Sequence, residues 1–107
     1  IKETSFRNEY SSKQFPQVFL IDYTYKNISS SNTMYISDMN FKIVDELGEV
    51  GDTYPVIDYI SPKELIAGTT CKASMAFGVN NHSNKIKLQY WSSAFDTQPT
   101  AIIELDV

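Results

Sequence analysis

Little in this chain lends itself to catalysis or crosslinking: among 107 residues there is one cysteine, Cys71, and one histidine, His82. A single thiol excludes an intramolecular disulfide. A lone cysteine is what a reducing compartment leaves, but a domain of this length removes roughly 65% of its unfolded surface from water and needs no bridge. Zinc chemistry needs three or four convergent His, Cys or carboxylate ligands, and a catalytic triad needs a His oriented by a carboxylate. Neither pattern is present, and no glycine-rich phosphate cradle occurs among the four glycines. Basic residues are in the minority, nine against 13 acidic, for a net charge of −4. The attraction that supplies most affinity for nucleic acid or anionic lipid is therefore missing. No apolar run reaches the roughly 18 residues needed to cross a bilayer, and no basic-then-apolar leader opens the chain. The chain opens at Ile1 rather than Met, which reads as a fragment from which any export signal has been removed.

What is present is alternation. From Val18 to Asn27, Phe19, Ile21, Tyr23 and Tyr25 share one parity, with Asp22, Thr24 and Lys26 on the other. Successive strand side chains point to opposite faces, so this is a half-buried antiparallel strand. It stops at the polar cluster Asn27–Asn32, a turn signal. Thr70 to Val79 repeats the pattern, with Cys71, Ala73, Met75, Phe77 and Val79 inward. Ile86, Leu88 and Tyr90 face inward in the next strand, and Ala101 to Val107 closes the chain after Pro99.

Between these lie shorter pieces. Ile1 to Tyr10 reads as an edge strand and Ser11 to Gln17 as a loop. A strand at Met34-Tyr35-Ile36 pauses at Ser37-Asp38 and resumes with Met39, Phe41 and Ile43 on one face. Asp45–Glu49 makes a tight turn with Gly48 available for positive φ, and Val50 to Val56 is expected to return antiparallel to the strand before it. Ser61-Pro62-Lys63-Glu64 carries a cap, a first-turn proline and a capping-box glutamate, so one helical turn is expected there before Gly68. The sum is one domain spanning residues 1–107, all-β, an antiparallel two-sheet sandwich of about seven strands. Its expected core holds Ile21, Tyr23, Tyr25, Phe41, Ile43, Met75, Phe77, Leu88 and Tyr90.

The order of these phrases resembles a known family. Arg7-Asn8-Glu9-Tyr10, then Tyr23-Thr24-Tyr25-Lys26-Asn27, Met39 to Asp45 with its glycine turn, Leu65, Gly68 and the run to Val79 come first. Phe95-Asp96-Thr97-Gln98-Pro99-Thr100-Ala101-Ile102 completes the pattern. Together they resemble the telokin-like, immunoglobulin-type extracellular domain of small Gram-positive bacterial lipoproteins, a family of unknown function. The resemblance implies an immunoglobulin-like fold and an extracellular, membrane-anchored address, and no chemistry. Ile103 departs from it, standing where an aromatic is expected. The lipid-acceptor cysteine would lie upstream of Ile1, since Cys71 sits mid-strand.

Each candidate site has a plainer alternative. His82 reads as a surface residue in an Asn- and Ser-rich turn, and Cys71 as a small buried hydrophobe. Asp45, Glu46, Glu49 and Asp52 read as a solvated hairpin turn, because calcium loops supply six or more oxygens in a fixed order. Asn27-Ile28-Ser29 and Asn81-His82-Ser83 match the glycosylation acceptor, which carries little weight in a bacterial protein. Tyr54, Tyr59 and Trp91 lie off the inward parity and are the candidate partner-binding aromatics. The leading expectation is a non-enzymatic module contacting a cell-envelope protein through an edge strand or end loops, without cofactor or metal. The alternative is a cell-wall glycan binder stacking sugars on Tyr59 and Trp91. An enzyme ranks third. Ligand and oligomeric state are left open by the sequence.

Overall fold

The computed structural model describes residues 1–11, 14–29, 31–56, 59–93 and 95–107. Among these residues seven strands form two antiparallel sheets: β1 (Lys2–Thr4), β2 (Gln17–Lys26), β3 (Phe41–Val44), β4 (Asp52–Thr53), β5 (Thr70–Val79), β6 (Lys85–Tyr90) and β7 (Ala101–Asp106). One sheet runs β1-β2-β5-β4 and the other β3-β6-β7. That order is the constant-type immunoglobulin arrangement of four strands packed on three. The expected all-β sandwich of about seven strands is what the chain forms.

β2 and β5 are the spine, paired over ten residues from Gln17↔Val79 to Lys26↔Thr70. Their inward side chains meet those of β3 and β6 in one cluster of Phe19, Ile21, Ile43, Met75, Phe77, Val79, Ile86 and Leu88. The alternation read from the sequence thus faces the core as expected. Tyr23, Phe41 and Tyr90, expected inside, are only half-buried. They wall a gap at one side of the sandwich rather than filling its centre.

Several local expectations are corrected. The N-terminal strand ends at Thr4, whose hydroxyl accepts the Phe6 N–H at 3.1 Å and turns the chain. Residues 5–11 and 14–16 then fold back over the outer face of β2. Arg7 fastens them by donating to the carbonyls of Thr4, Phe6, Phe15 and Pro16. Met34–Ile36 forms no strand beyond the Met34↔Leu65 bridge. Met39 and Asn40 belong instead to a 3-10 turn, Asp38–Asn40, capped by Ser37 with Asn40 bonding back. Side-chain capture of the backbone out-competes the strand there. The helical turn expected at Ser61 does not form: Leu65 is held in two backbone bonds with Met34. The Tyr25 hydroxyl also takes both backbone groups of Lys63, accepting from its N–H and donating to its carbonyl.

Val50 touches the preceding strand only through the Val44↔Val50 bridge, and the chain then crosses sheets so that β4 pairs with Gly78 and Phe77 of β5. Gly51 is the crossing point, its N–H donating to Ile43 O at 2.9 Å. The glycine turn at Asp45–Glu49 forms as expected, with Gly48 at φ +85°. Of the expected Ser11–Gln17 loop and Asn27–Asn32 turn, Ser12, Lys13 and Ser30 lie outside the described residues. No helix among the described residues is long and apolar enough to cross a membrane.

Candidate functional site

The three aromatics singled out by parity occupy three different situations. Tyr54 is buried at 4% exposure, a correction to its expected place on the surface. Outward parity just past β4 does not mean solvent here, because the folded-back segment covers that face with Asn8 and Phe15. Phe15 meets its ring edge-on at 6.0 Å, and its hydroxyl accepts the Asn8 N–H at 2.6 Å. Phe15, Val18, Tyr54 and Ala76 form a second apolar cluster on the outside of the larger sheet.

Tyr59 is half exposed and lines a hollow with Asp38, Thr53, Pro55 and Val56. Trp91 lies in another hollow, with Met39, Asn40, Ser92, Ser93 and Asp96. The Lys42 ammonium sits 4.4 Å from the indole centroid, and the indole N–H donates to Gln89 Oε1 at 3.2 Å. A cation over one ring face occupies a position that a stacked sugar would use. Tyr59 and Trp91 line separate hollows rather than one platform.

Cys71 is buried beside Tyr25, Leu65 and Ala73, as expected of a small hydrophobe. His82 is exposed. No group of three or more His, Cys, Asp or Glu residues converges among the described residues. Asn27 is fully buried, its amide donating to Asn32 O and Leu65 O, so it is a structural linchpin and not an open glycosylation acceptor.

The acidic turn is not a solvated hairpin throughout. Asp45 is buried, and one carboxylate oxygen accepts the N–H groups of Leu47 and Glu49 at 2.9 and 3.0 Å. The other accepts the Asn81 amide at 2.9 Å. Ser83 links the same turn to the buried Gln17, whose side chain bonds both backbone groups of Ser83. Burial by itself would raise the Asp45 carboxyl, but the Asn81 amide and the turn N–H groups outweigh it and hold the group below the usual carboxylate range.

A carboxylate depressed on folding stabilises at pH values above its unfolded value of about 3.9, and that stability is lost as pH falls through the lower folded value. Asp45→Asn is therefore expected to cost about 2–3 kcal/mol at neutral pH, the scale of hydrogen bonds to a charged group. The gap to the wild type should shrink on the acid side. Urea unfolding at neutral pH and under strongly acidic conditions checks this, and an equal gap at both would show that Asp45 is not the ionised hub.

The feature that parity reading missed is the open side of the sandwich. β1 covers β2 only from Val18 to Leu20, so β2 runs on from Asp22 to Lys26 with no strand on that edge. The odd-numbered residues of β2 direct their backbone groups to β5, a parity continued by Asn27 N–H to Thr69 O at 3.0 Å. The N–H and C=O groups of Asp22, Thr24 and Lys26 thus point outward. No strand among the described residues pairs with them.

Across the gap stands β7, paired to β6 through Leu88↔Ile103 and Tyr90↔Ala101. With so short a β1 opposite, inward-facing Ile103 stays 47% exposed. An apolar groove of about 370 Å³ results, walled by Ile1, Tyr23, Tyr25, Ile36, Tyr90 and Ile103. Tyr23 stacks on Tyr25 at 6.0 Å and meets Phe41 edge-on at 5.5 Å, while its hydroxyl donates to Ile36 O at 2.9 Å. Burial is the main cause that raises both phenols above their usual range, so they are neutral donors throughout the physiological span. No local signal marks this opening, because it depends on where β1 stops along β2.

Compared with protein-family models, with curated proteins and with solved structures, the chain matches none.

Proposed function

We propose that this chain is a non-enzymatic interaction module of the bacterial cell envelope, the immunoglobulin-like domain of a surface lipoprotein held outside the membrane by an anchor upstream of Ile1. It grips a protein partner along the open side of the sandwich. The carrying observation is the edge of β2 from Asp22 to Lys26, unpaired among the described residues, beside an apolar groove, since an added strand would gain backbone hydrogen bonds and bury aromatic surface at once. The acidic net charge and the lipoprotein resemblance support the address. The glycan reading has less behind it, because Tyr59 and Trp91 lie in separate hollows and Lys42 covers part of the indole.

Capture from the parent cell envelope tests the reading. The wild type is expected to retain a defined envelope protein, the parent chain itself counted among the candidates, at physiological salt. Thr24→Pro, which removes one outward N–H without touching the β5 ladder, is expected to lose it while keeping its far-UV spectrum. Equal capture by both proteins, or none by either, would count against the edge as the contact surface.

A further inference from the structure

The free stretch of β2 has a property beyond being open: its ends and its charges are symmetric about Thr24. It is bounded on one side by the end of β1, where Lys2 pairs with Leu20, and on the other by Asn27, which turns away into its own hydrogen bonds. What remains is Asp22-Tyr23-Thr24-Tyr25-Lys26. Laid antiparallel on a second copy with Thr24 on the two-fold axis, the stretch sets Asp22 opposite Lys26, Tyr23 opposite Tyr25 and Thr24 opposite itself. The outward backbone groups of Asp22, Thr24 and Lys26 then meet their counterparts in register.

We propose that the occupant of this edge is a second copy of the chain, docked by antiparallel β2–β2 pairing about Thr24 into one sheet continuous across both copies. This deepens the edge-strand reading above and rests on it. Charged side chains on an exposed edge ordinarily discourage pairing. Here Asp22 and Lys26 are both exposed on the outer face of the sheet, and pairing about Thr24 neutralises both. A shift of the axis to Tyr23 or Tyr25 places Asp22 or Lys26 opposite Thr24 and leaves the charges unmatched, so the same residues select one register. On the inner face, the second copy's Tyr23 and Tyr25 come beside Tyr25 and Tyr23 at the mouth of the groove. The two-fold also brings the half-exposed Ile103 of each β7 to the same side of the joined sandwich. A strand-edge contact of this kind is isologous and closes at two copies, so it does not propagate into a fibre.

Sedimentation equilibrium over a concentration series tests the proposal, using charge exchange as the readout. The wild type is expected to show a reversible monomer–dimer equilibrium. Asp22→Lys or Lys26→Asp alone places like charges opposite each other twice per dimer, and each is expected to raise Kd roughly tenfold or more. The double variant Asp22→Lys with Lys26→Asp restores opposite charges and is expected to recover most of the loss, which a general effect on folding would not do. A monomer at every concentration, or a double variant no better than the singles, overturns self-pairing. If such a monomer still captures an envelope protein in a manner lost with Thr24→Pro, the edge reading stands while the second copy is eliminated. A monomer that captures nothing removes both.

Discussion

Phe77→Ala is expected to lower the unfolding free energy by about 3–5 kcal/mol, the usual cost of emptying a buried phenylalanine site. Phe77 is 1% exposed at the centre of the main cluster and lies on β5, opposite Phe19 of β2 on one side and Thr53 of β4 on the other. Its ring sits between the two layers, and the ladders on each side keep the backbone from collapsing into the space left behind. Against a domain stability of roughly 5–15 kcal/mol, the variant should be close to unfolding at ambient temperature. Urea titration followed by tyrosine fluorescence measures it. A loss under about 1 kcal/mol would mean that Phe77 is not the centre of the sandwich.

The second large effect is expected at Gly51, where the chain passes from one sheet to the other. A Cβ there would run into the carbonyl oxygen of Gly78 and stand 2.8 Å from Ile43 Cγ2 and 3.1 Å from Val79 Cγ1. Gly51 also donates its N–H to Ile43 O, so it cannot retreat without breaking the link to β3. Gly51→Ala is expected to cost about 3 kcal/mol or more, at the upper end for overpacking because backbone rather than a flexible side chain must yield. Gly48→Ala is the control. Gly48 has φ +85° but open space around it, so only the left-handed penalty of about 1–2 kcal/mol applies. Thermal denaturation of the pair checks the order, and equal stability of the Gly51→Ala and Gly48→Ala variants would remove the close approach from the account.

The two long strands were legible because parity and burial coincide in them. Phe19, Ile21, Met75 and Phe77 alternate with the residues of the opposite face and point into the one apolar interior between the sheets. Shorter pieces were less so, because a few residues of pattern are easily overruled by a hydrogen bond made elsewhere. Ser61-Pro62-Lys63-Glu64 carries every local mark of a helix start, yet the Tyr25 hydroxyl and Met34 claim its neighbouring backbone. Met39 keeps strand parity with Phe41 and Ile43, but the Ser37–Asn40 capping box winds it into a turn where it is 89% exposed.

The candidate surface shows the same division. Trp91 and Tyr59 are at least partly accessible, as their parity suggested, whereas Tyr54 shares that parity and is buried beneath a segment from the other end of the chain's first half. Asp45 was read with its acidic neighbours as solvated. What places it inside is Asn81, 36 positions away.

By itself, the sequence determined the fold class and the inward faces of the long strands, because strand parity, turn chemistry and the apolar content of each face are local and act over a few residues. The same local record excluded a disulfide and supplied no catalytic pattern. The tertiary structure alone decided that β1 stops at Thr4, that the chain crosses sheets at Gly51 and that Asn8 and Phe15 cover Tyr54. It therefore also decided that Asp22 to Lys26 is left as an open edge over an apolar groove. An edge is defined by the strand that is not beside it, and which strand lies beside which is settled by pairings between residues far apart in the chain.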